Sequence, residues 1–225
     1  MKHFESPLFT VDSALFTVHE GQLQVLAVRR AINPYQGSWA LPGGYVDMNL
    51  DSNVEDTALR KLKDKTGIHP AYLEQLQTFS GTERDPRGFS VTLAYYALIG
   101  YQDAKTYIDT VSEATWLPVK QLSEYQLAFD HEEIVSIAVE RLRQKALYSM
   151  VPVFCLSEQF TVAELKSTIE AIIDKPIQRK TLIRRIEASS MFEAVEEKVQ
   201  TGRRPATQYR LKEGADIHHF ERNLS

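Results

Sequence analysis

The chain has 225 residues, 26 basic and 30 acidic, for a formal net charge of −4, and is 43 % hydrophobic and 25 % charged. This is the composition of a water-soluble globular protein with room for one large domain or two modest ones; it excludes a uniformly basic nucleic-acid binder but leaves local basic patches open. Its one cysteine, Cys155, excludes an intramolecular disulfide and any multi-cysteine zinc site. The N-terminus lacks a signal-peptide pattern and no run of about 18 apolar residues occurs, so the expectation is no membrane partner and a reducing cytoplasm.

In chain order, residues 8–30 read as two β-strands, "LFTVDSALFTV" and "LQVLAVRR", joined by the glycine-bearing turn "HEGQ". A loop with Pro34 and Gly37 leads into the short, glycine-punctuated "ALPGGYV". A helix is predicted over residues 54–66. Asn53 or Ser52 caps it, Glu55 and Asp56 suit its first turn, and Gly67 stops it. "GFSVTLAYYALIG" is a buried-type strand and "EATWLPV" another. Asp130 is expected to cap a helix through Ile134, Ile137, Ala138 and Leu142 that ends near Ala146. Strands mixed with a few helices make residues 1–148 an α+β or α/β domain.

The pattern changes after Tyr148. A connector is expected at residues 149–156, where Pro152 interrupts, and a second domain at residues 157–225. Thr161 and Glu164 form a capping-box pair before the helical spacing of Leu165, Ile169, Ile172 and Ile173. A second helix spans about 177–189. "FEAVEEKVQ", a turn at "TGRRP" and "ATQYRLK" then make a β-hairpin. Helix, turn, helix and hairpin is the order of a winged helix-turn-helix. Charge divides the same way: residues 151–225 hold 12 basic and 11 acidic residues, and residues 1–150 hold 14 and 19. The final "IHHFERNLS" is expected to be a loosely held tail, and its adjacent histidines are a poor metal-site argument.

"WALPGGYVD" followed by a helix ending "TGI" resembles the Nudix family, and the resemblance implies an α/β/α sandwich with a mixed sheet. Family enzymes carry Arg-Glu-x-x-Glu-Glu-x-Gly on that helix. Positions i, i+3 and i+4 share one helix face, so three carboxylates there hold Mg²⁺ against a nucleotide diphosphate. Here Arg60 and Gly67 match, but the three acidic positions carry Lys61, Asp64 and Lys65, and Asp51 lies near the place of the upstream acid. Two ammonium groups and one carboxylate repel Mg²⁺, so no catalytic residue, no metal and no cofactor are expected. Lys61 and Lys65 either meet a diphosphate in the metal's place or only face solvent.

"RDPRG" before a strand resembles the branch of the family that handles ADP-ribose, as does "LAFDHEEIVSIAVERLRQKALYS". Candidate ligand-binding residues are Arg29 and Arg30 at a strand end, Tyr35 and Trp39 as flat faces for adenine, Gly44, Lys61, Lys65, Arg84 and Arg87. Asp85 is as well read as pinning a turn to a neighbouring arginine. On the second C-terminal helix Leu182, Ile183 and Ile186 cluster on one side. Gln178, Arg179, Lys180, Thr181, Arg184 and Arg185 are the candidate DNA contacts, joined by Arg203 and Arg204 at the hairpin tip.

This segment resembles the winged helix of the NrtR family of Nudix-related transcriptional regulators of NAD metabolism. The resemblance implies a homodimeric repressor on palindromic double-stranded DNA, with ADP-ribose or a related NAD metabolite as effector weakening the complex. An active Mg²⁺-dependent Nudix hydrolase and a DNA-binding protein whose Nudix domain only dimerises are the alternatives.

Overall fold

The computed structural model describes residues 6–108, 113–201 and 204–221. Its larger sheet has the strand order β3 (Trp39–Ala40), β2 (Gln22–Arg29), β1 (Leu8–His19), β6 (Ser90–Leu98), β5 (Tyr72–Gly81). Strand β4 (Gly43–Tyr45) also pairs with β1, and β7 (Ala114–Pro118) with β2. Only β1 and β6 run parallel among these pairs. They form the middle of the sheet and are apolar on both faces, as strands covered on two sides must be. Tyr95 and Ala97 of β6 face α1 (Val54–Thr66) and α2 (Tyr101–Ile108), while Ala94, Tyr96 and Leu98 face α3 (His131–Tyr148).

Helix α1 begins where expected, with the Asn53 side chain accepting from the Asp56 N–H at 3.0 Å, and ends on Gly67 in the left-handed region. Helix α3 starts at His131, but Asp130 does not cap it through its side chain. That carboxylate accepts a fork from Arg84 instead, with Nε and Nη2 each at 2.8 Å. At the other end of α3, Glu74 of β5 accepts from Lys145, Tyr72 and Tyr96. Burial pushes the Glu74 carboxyl up, but these hydrogen bonds outweigh it and hold the group below its ordinary range.

Strand β5 and helix α2 go beyond the elements predicted from sequence. The connector expected at residues 149–156 is not an exposed linker. Val151–Cys155 form a 3₁₀ turn, and Met150, Val151, Val153 and Cys155 are buried.

Helix α4 (Val162–Ile173) carries the expected capping box of Thr161 and Glu164. Helix α5 (Arg179–Ser189) starts two residues later than predicted. Strands β9 (Phe192–Thr201) and β10 (Arg204–Leu211) pair as the wing, and β8 (Phe160–Thr161) joins β10. The two halves share packing. Ile172 of α4 belongs to the core beneath α3, and Arg143 Nε donates to the Ile172 carbonyl at 3.1 Å. The tail is also held. Phe220 N–H donates to the Tyr148 carbonyl at 2.6 Å, and His219 pairs with Ser149. The expectation of a loose end fails through residue 221 because Ile217 and Phe220 are apolar and find core to cover.

Candidate ligand cleft and nucleic-acid interface

A cleft of about 670 Å³ opens between the ends of β1, β2 and β4, helix α1 and the start of α3. Three features of the sequence build it. The loop before α1 is tied down by Asp51, whose carboxylate takes a fork from Arg60 at 2.6 and 2.5 Å, the Thr57 hydroxyl at 2.8 Å and the Asp47 N–H at 2.9 Å. The fork sets the rotation of α1, so that Lys61, Asp64 and Lys65 all line the cleft. Gly44, at φ +150°, lets the chain pass over Lys61; a Cβ there would lie 3.1 Å from Lys61 Cε.

The Arg60 guanidinium beside Asp51 holds that carboxyl well below the usual carboxylate range. A depressed carboxylate stabilises the fold fully above about pH 4, and that contribution is lost as pH falls through the lower folded-state value. The melting-temperature gap between the wild type and Asp51→Asn is therefore expected to be open at pH 7 and to narrow progressively below about pH 4. A gap independent of pH would show that the fork does not act through the ionised carboxylate.

The cleft lining carries Arg29, Arg30, Lys61, Lys65, Arg84 and Arg87, six cations, against Asp12, Asp64, Asp85 and Glu113, four acids. Burial lowers the pKa of Lys61, reinforced by the nearby Arg60 charge; an anion in the cleft offsets that cost. The donor set does not fit Mg²⁺, which needs several oxygen ligands in near-octahedral array. Only Asp64 survives on the ligand face of α1, and no group of three metal-ligating side chains exists among the described residues.

The arginines differ in what they have left to offer. Arg84 is committed: its fork to Asp130 and a 3.0 Å bond to the Ser90 hydroxyl use Nε and both terminal nitrogens, and its side chain is 8 % exposed. It frames the cleft, and the phosphate fork expected from sequence would have only the two remaining terminal N–H donors of a nearly buried side chain. Arg87 pins Asp85 through Nε at 3.0 Å and Nη2 at 2.7 Å, the turn geometry weighed as the alternative for Asp85. Its guanidinium stays against the rings of Tyr45 and Phe129, at 5.7 and 5.9 Å. Arg30 lies over Phe129 at 4.6 Å and donates to the Pro34 carbonyl, while Arg29 is exposed and lies beside Trp39.

Trp39 is the clearest correction among the ligand candidates. It does not line the cleft; its ring packs against the main core and its carbonyl accepts from Ala128 N–H at 2.8 Å. Tyr35 also stands outside the lining, edge-on to Phe129 at 4.8 Å. Phe129 and Tyr45 are the aromatics that line the cleft instead, and the φ of +57° at Phe129 is a strained backbone for a bulky side chain. Nothing in the sequence marks it. Asp12 and His131 were missed as well, although an acid inside the apolar "LFTVDSALFTV" was a visible signal.

On the C-terminal half, Leu182 and Ile186 anchor α5 in the local core. Gln178, Arg179, Lys180, Thr181 and Arg184 are exposed, and none of the basic three holds an ion pair among the described residues. Arg185 is different. One helical step on, it turns back toward α3, donates to the Leu147 carbonyl at 2.6 Å and lies over Phe220 at 4.9 Å, and burial lowers its pKa. It fastens α5 to α3 and the tail, which sets it apart from the other candidate DNA contacts on this helix. Arg203 lies outside the described residues, and Arg204 is described only by its backbone, which pairs with Thr201.

Comparison with known proteins gives the same two parts. Residues 9–136 match the NUDIX domain and residues 152–211 match the NrtR DNA-binding winged helix domain. The chain is 39 % identical over 208 residues to the ADPR responsive transcriptional repressor NtrR of Acinetobacter baylyi, covering 92 % of this chain and 83 % of that protein. It is similar to the crystal structure of Shewanella oneidensis NrtR complexed with a 27mer DNA, at a TM-score of 0.92 and 45 % identity over 97 % of this chain and 100 % of that one. It also resembles the NUDIX domain of Shewanella oneidensis NrtR cocrystallised with ADP ribose, at a TM-score of 0.57 and 46 % identity over 62 % of this chain and 90 % of that one.

Proposed function

Because the chain belongs to the Nudix family and carries an NrtR winged helix domain, we propose that it is a transcriptional repressor that binds operator DNA and releases it when ADP-ribose or a related NAD metabolite fills the Nudix cleft. The observation that carries this reading is the cleft itself. Lys61 and Lys65 occupy the face of α1 that would hold a metal, so the site suits an anionic nucleotide that it holds and does not hydrolyse. Lys61, Lys65, Arg30 and Arg87 meet the phosphates; Phe129 and Tyr45 offer faces for adenine.

Residues 1–148 are the sensor and residues 157–225 the DNA-binding part, with residues 149–156 as a packed joint between them. The repressor acts in the cytoplasm as a homodimer on a palindromic site, with half-sites about one helical turn or a multiple apart. Helix α5 enters the major groove with Lys180, Thr181 and Arg184 foremost. ADP-ribose acts through a preference for the dimer geometry that does not fit DNA, and typical couplings of this kind are about 1–3 kcal/mol.

The test is a mobility shift on the protein's own promoter fragment. The expected result is a shift that weakens along a salt series, as phosphate contacts require, and weakens again with added ADP-ribose. A promoter that never shifts, or a shift blind to ADP-ribose, would overturn the reading. In parallel, ADP-ribose incubated with the protein and Mg²⁺ is expected to remain intact; rapid turnover would return the chain to the hydrolases.

A further inference from the structure

The floor of the cleft differs from its walls. Asp12 is 7 % exposed, and its Oδ2 accepts from the Thr92 hydroxyl at 2.7 Å. Its other oxygen, Oδ1, has no hydrogen-bond partner among the described residues and lies 3.8 Å from His131 Nε2. That separation is too long for a direct bond. A carboxylate oxygen that borders the cleft and takes no hydrogen bond from the described residues is an acceptor left for something in the cleft.

His131 supplies the complementary half. Its Nδ1 accepts from the Leu41 N–H at 2.9 Å, so the proton of the neutral ring sits on Nε2. The ring is 3 % exposed, and burial lowers its pKa and keeps it neutral. Nε2–H is therefore a donor beside Oδ1, an acceptor, and both residues line the cleft. The chain enforces the position of Oδ1. At Gly43 a Cβ would stand 2.1 Å from it and 2.6 Å from the Val11 carbonyl, so β4 passes this point only as glycine.

We propose that Asp12 Oδ1 and His131 Nε2–H together bind a sugar hydroxyl of the effector, so that the cleft selects a glycosylated nucleotide and not merely a diphosphate. A hydroxyl satisfies both partners at once, donating to Oδ1 and accepting from Nε2–H. A phosphate has only acceptors and is repelled by the carboxylate. The two chemistries of the ligand thus sort themselves: phosphates against Arg30, Lys61, Lys65 and Arg87, the sugar on the floor. This inference rests on the reading of the cleft as a nucleotide sensor.

The sign of one substitution decides it. Asp12→Asn keeps the side-chain shape and an oxygen for Thr92 but removes the charge. If Asp12 merely stood near an anionic ligand, the change would relieve repulsion and tighten binding. If it holds a hydroxyl, calorimetry on the full chain with ADP-ribose shows affinity weakened about tenfold or more. His131→Phe, which removes the donor and keeps a ring, is expected to weaken ADP-ribose as well and serves where Asp12→Asn does not fold. Thr92→Val loses the internal bond and keeps Oδ1, so it stays near wild type. Unchanged or tighter binding by Asp12→Asn and His131→Phe, or an equal loss in Thr92→Val, overturns the proposal while leaving the sensor reading intact. A wild-type chain that binds no ADP-ribose overturns both.

Discussion

Replacing Lys180, Thr181 and Arg184 together by alanine is expected to weaken operator binding by about a hundredfold or more. Each base contact on such a helix is worth about 1–3 kcal/mol, and a hundredfold change needs only about 2.8 kcal/mol. All three side chains are exposed, and the helix is held from beneath by Leu182 and Ile186. The fold should therefore be nearly untouched, since exposed substitutions away from special contacts stay within about 0.5 kcal/mol. The mobility shift should vanish while calorimetry finds ADP-ribose binding as in the wild type. The salt dependence of any residual binding should flatten as well, because Lys180 and Arg184 no longer displace counterions. A triple variant that still shifts the operator at wild-type concentrations would remove α5 from the interface. Arg185→Ala is the instructive contrast. It should lower stability through the lost Leu147 and Phe220 contacts without changing sequence preference.

The second large effect concerns the frame of the cleft. Arg84→Ala strips the Asp130 carboxylate of its fork, and the two side chains are only 8 % and 16 % exposed. Breaking a buried pair from one side costs about 3–5 kcal/mol, because the remaining charge is left uncompensated. For a chain of this size each kcal/mol moves the melting temperature by about 2–4 °C, so a fall of roughly 6–20 °C is expected in thermal unfolding. Removing both partners should recover part of the loss, since no lone charge then remains. A fall of under about 2 °C, equivalent to at most about 1 kcal/mol, would mean that solvent screens the pair and that Arg84 is free for a ligand after all.

What was legible in the sequence follows from how local each signal is. Helix α1 and the α4 capping box are written within a few residues, in Asn53, Gly67, Thr161 and Glu164, and both formed where expected. Strand β5 was not legible because its pairing with β6 shifts register between Gln75 and Gln77. The shift leaves Leu76 and Phe79 as its buried pair, three apart, which breaks the period of two by which a strand is read. That the box positions share one face was legible because helix geometry fixes it; that this face lines a cleft and does not simply meet solvent was left open by the sequence and comes from the packing around α1. The commitments of Arg84 to Asp130 and of Arg185 to Leu147 were not, because each joins positions 46 and 38 residues apart. Phe129 was hidden for another reason: its place in the cleft depends on a backbone angle that no residue type announces.

Helix α3 has a mechanical consequence. Its 18 residues run about 27 Å at 1.5 Å each, with neither glycine nor proline to bend them. At its head, Asp130 and His131 are gripped by Arg84 and Leu41 at the cleft; at its foot, Arg143, Leu147 and Tyr148 hold Ile172 of α4, Arg185 of α5 and Phe220 of the tail. A rod clamped at both ends has no joint in which to absorb a push. A tilt of a few degrees at the head becomes a sideways travel of an ångström or two at the foot, about the scale of helix shifts that switch interfaces.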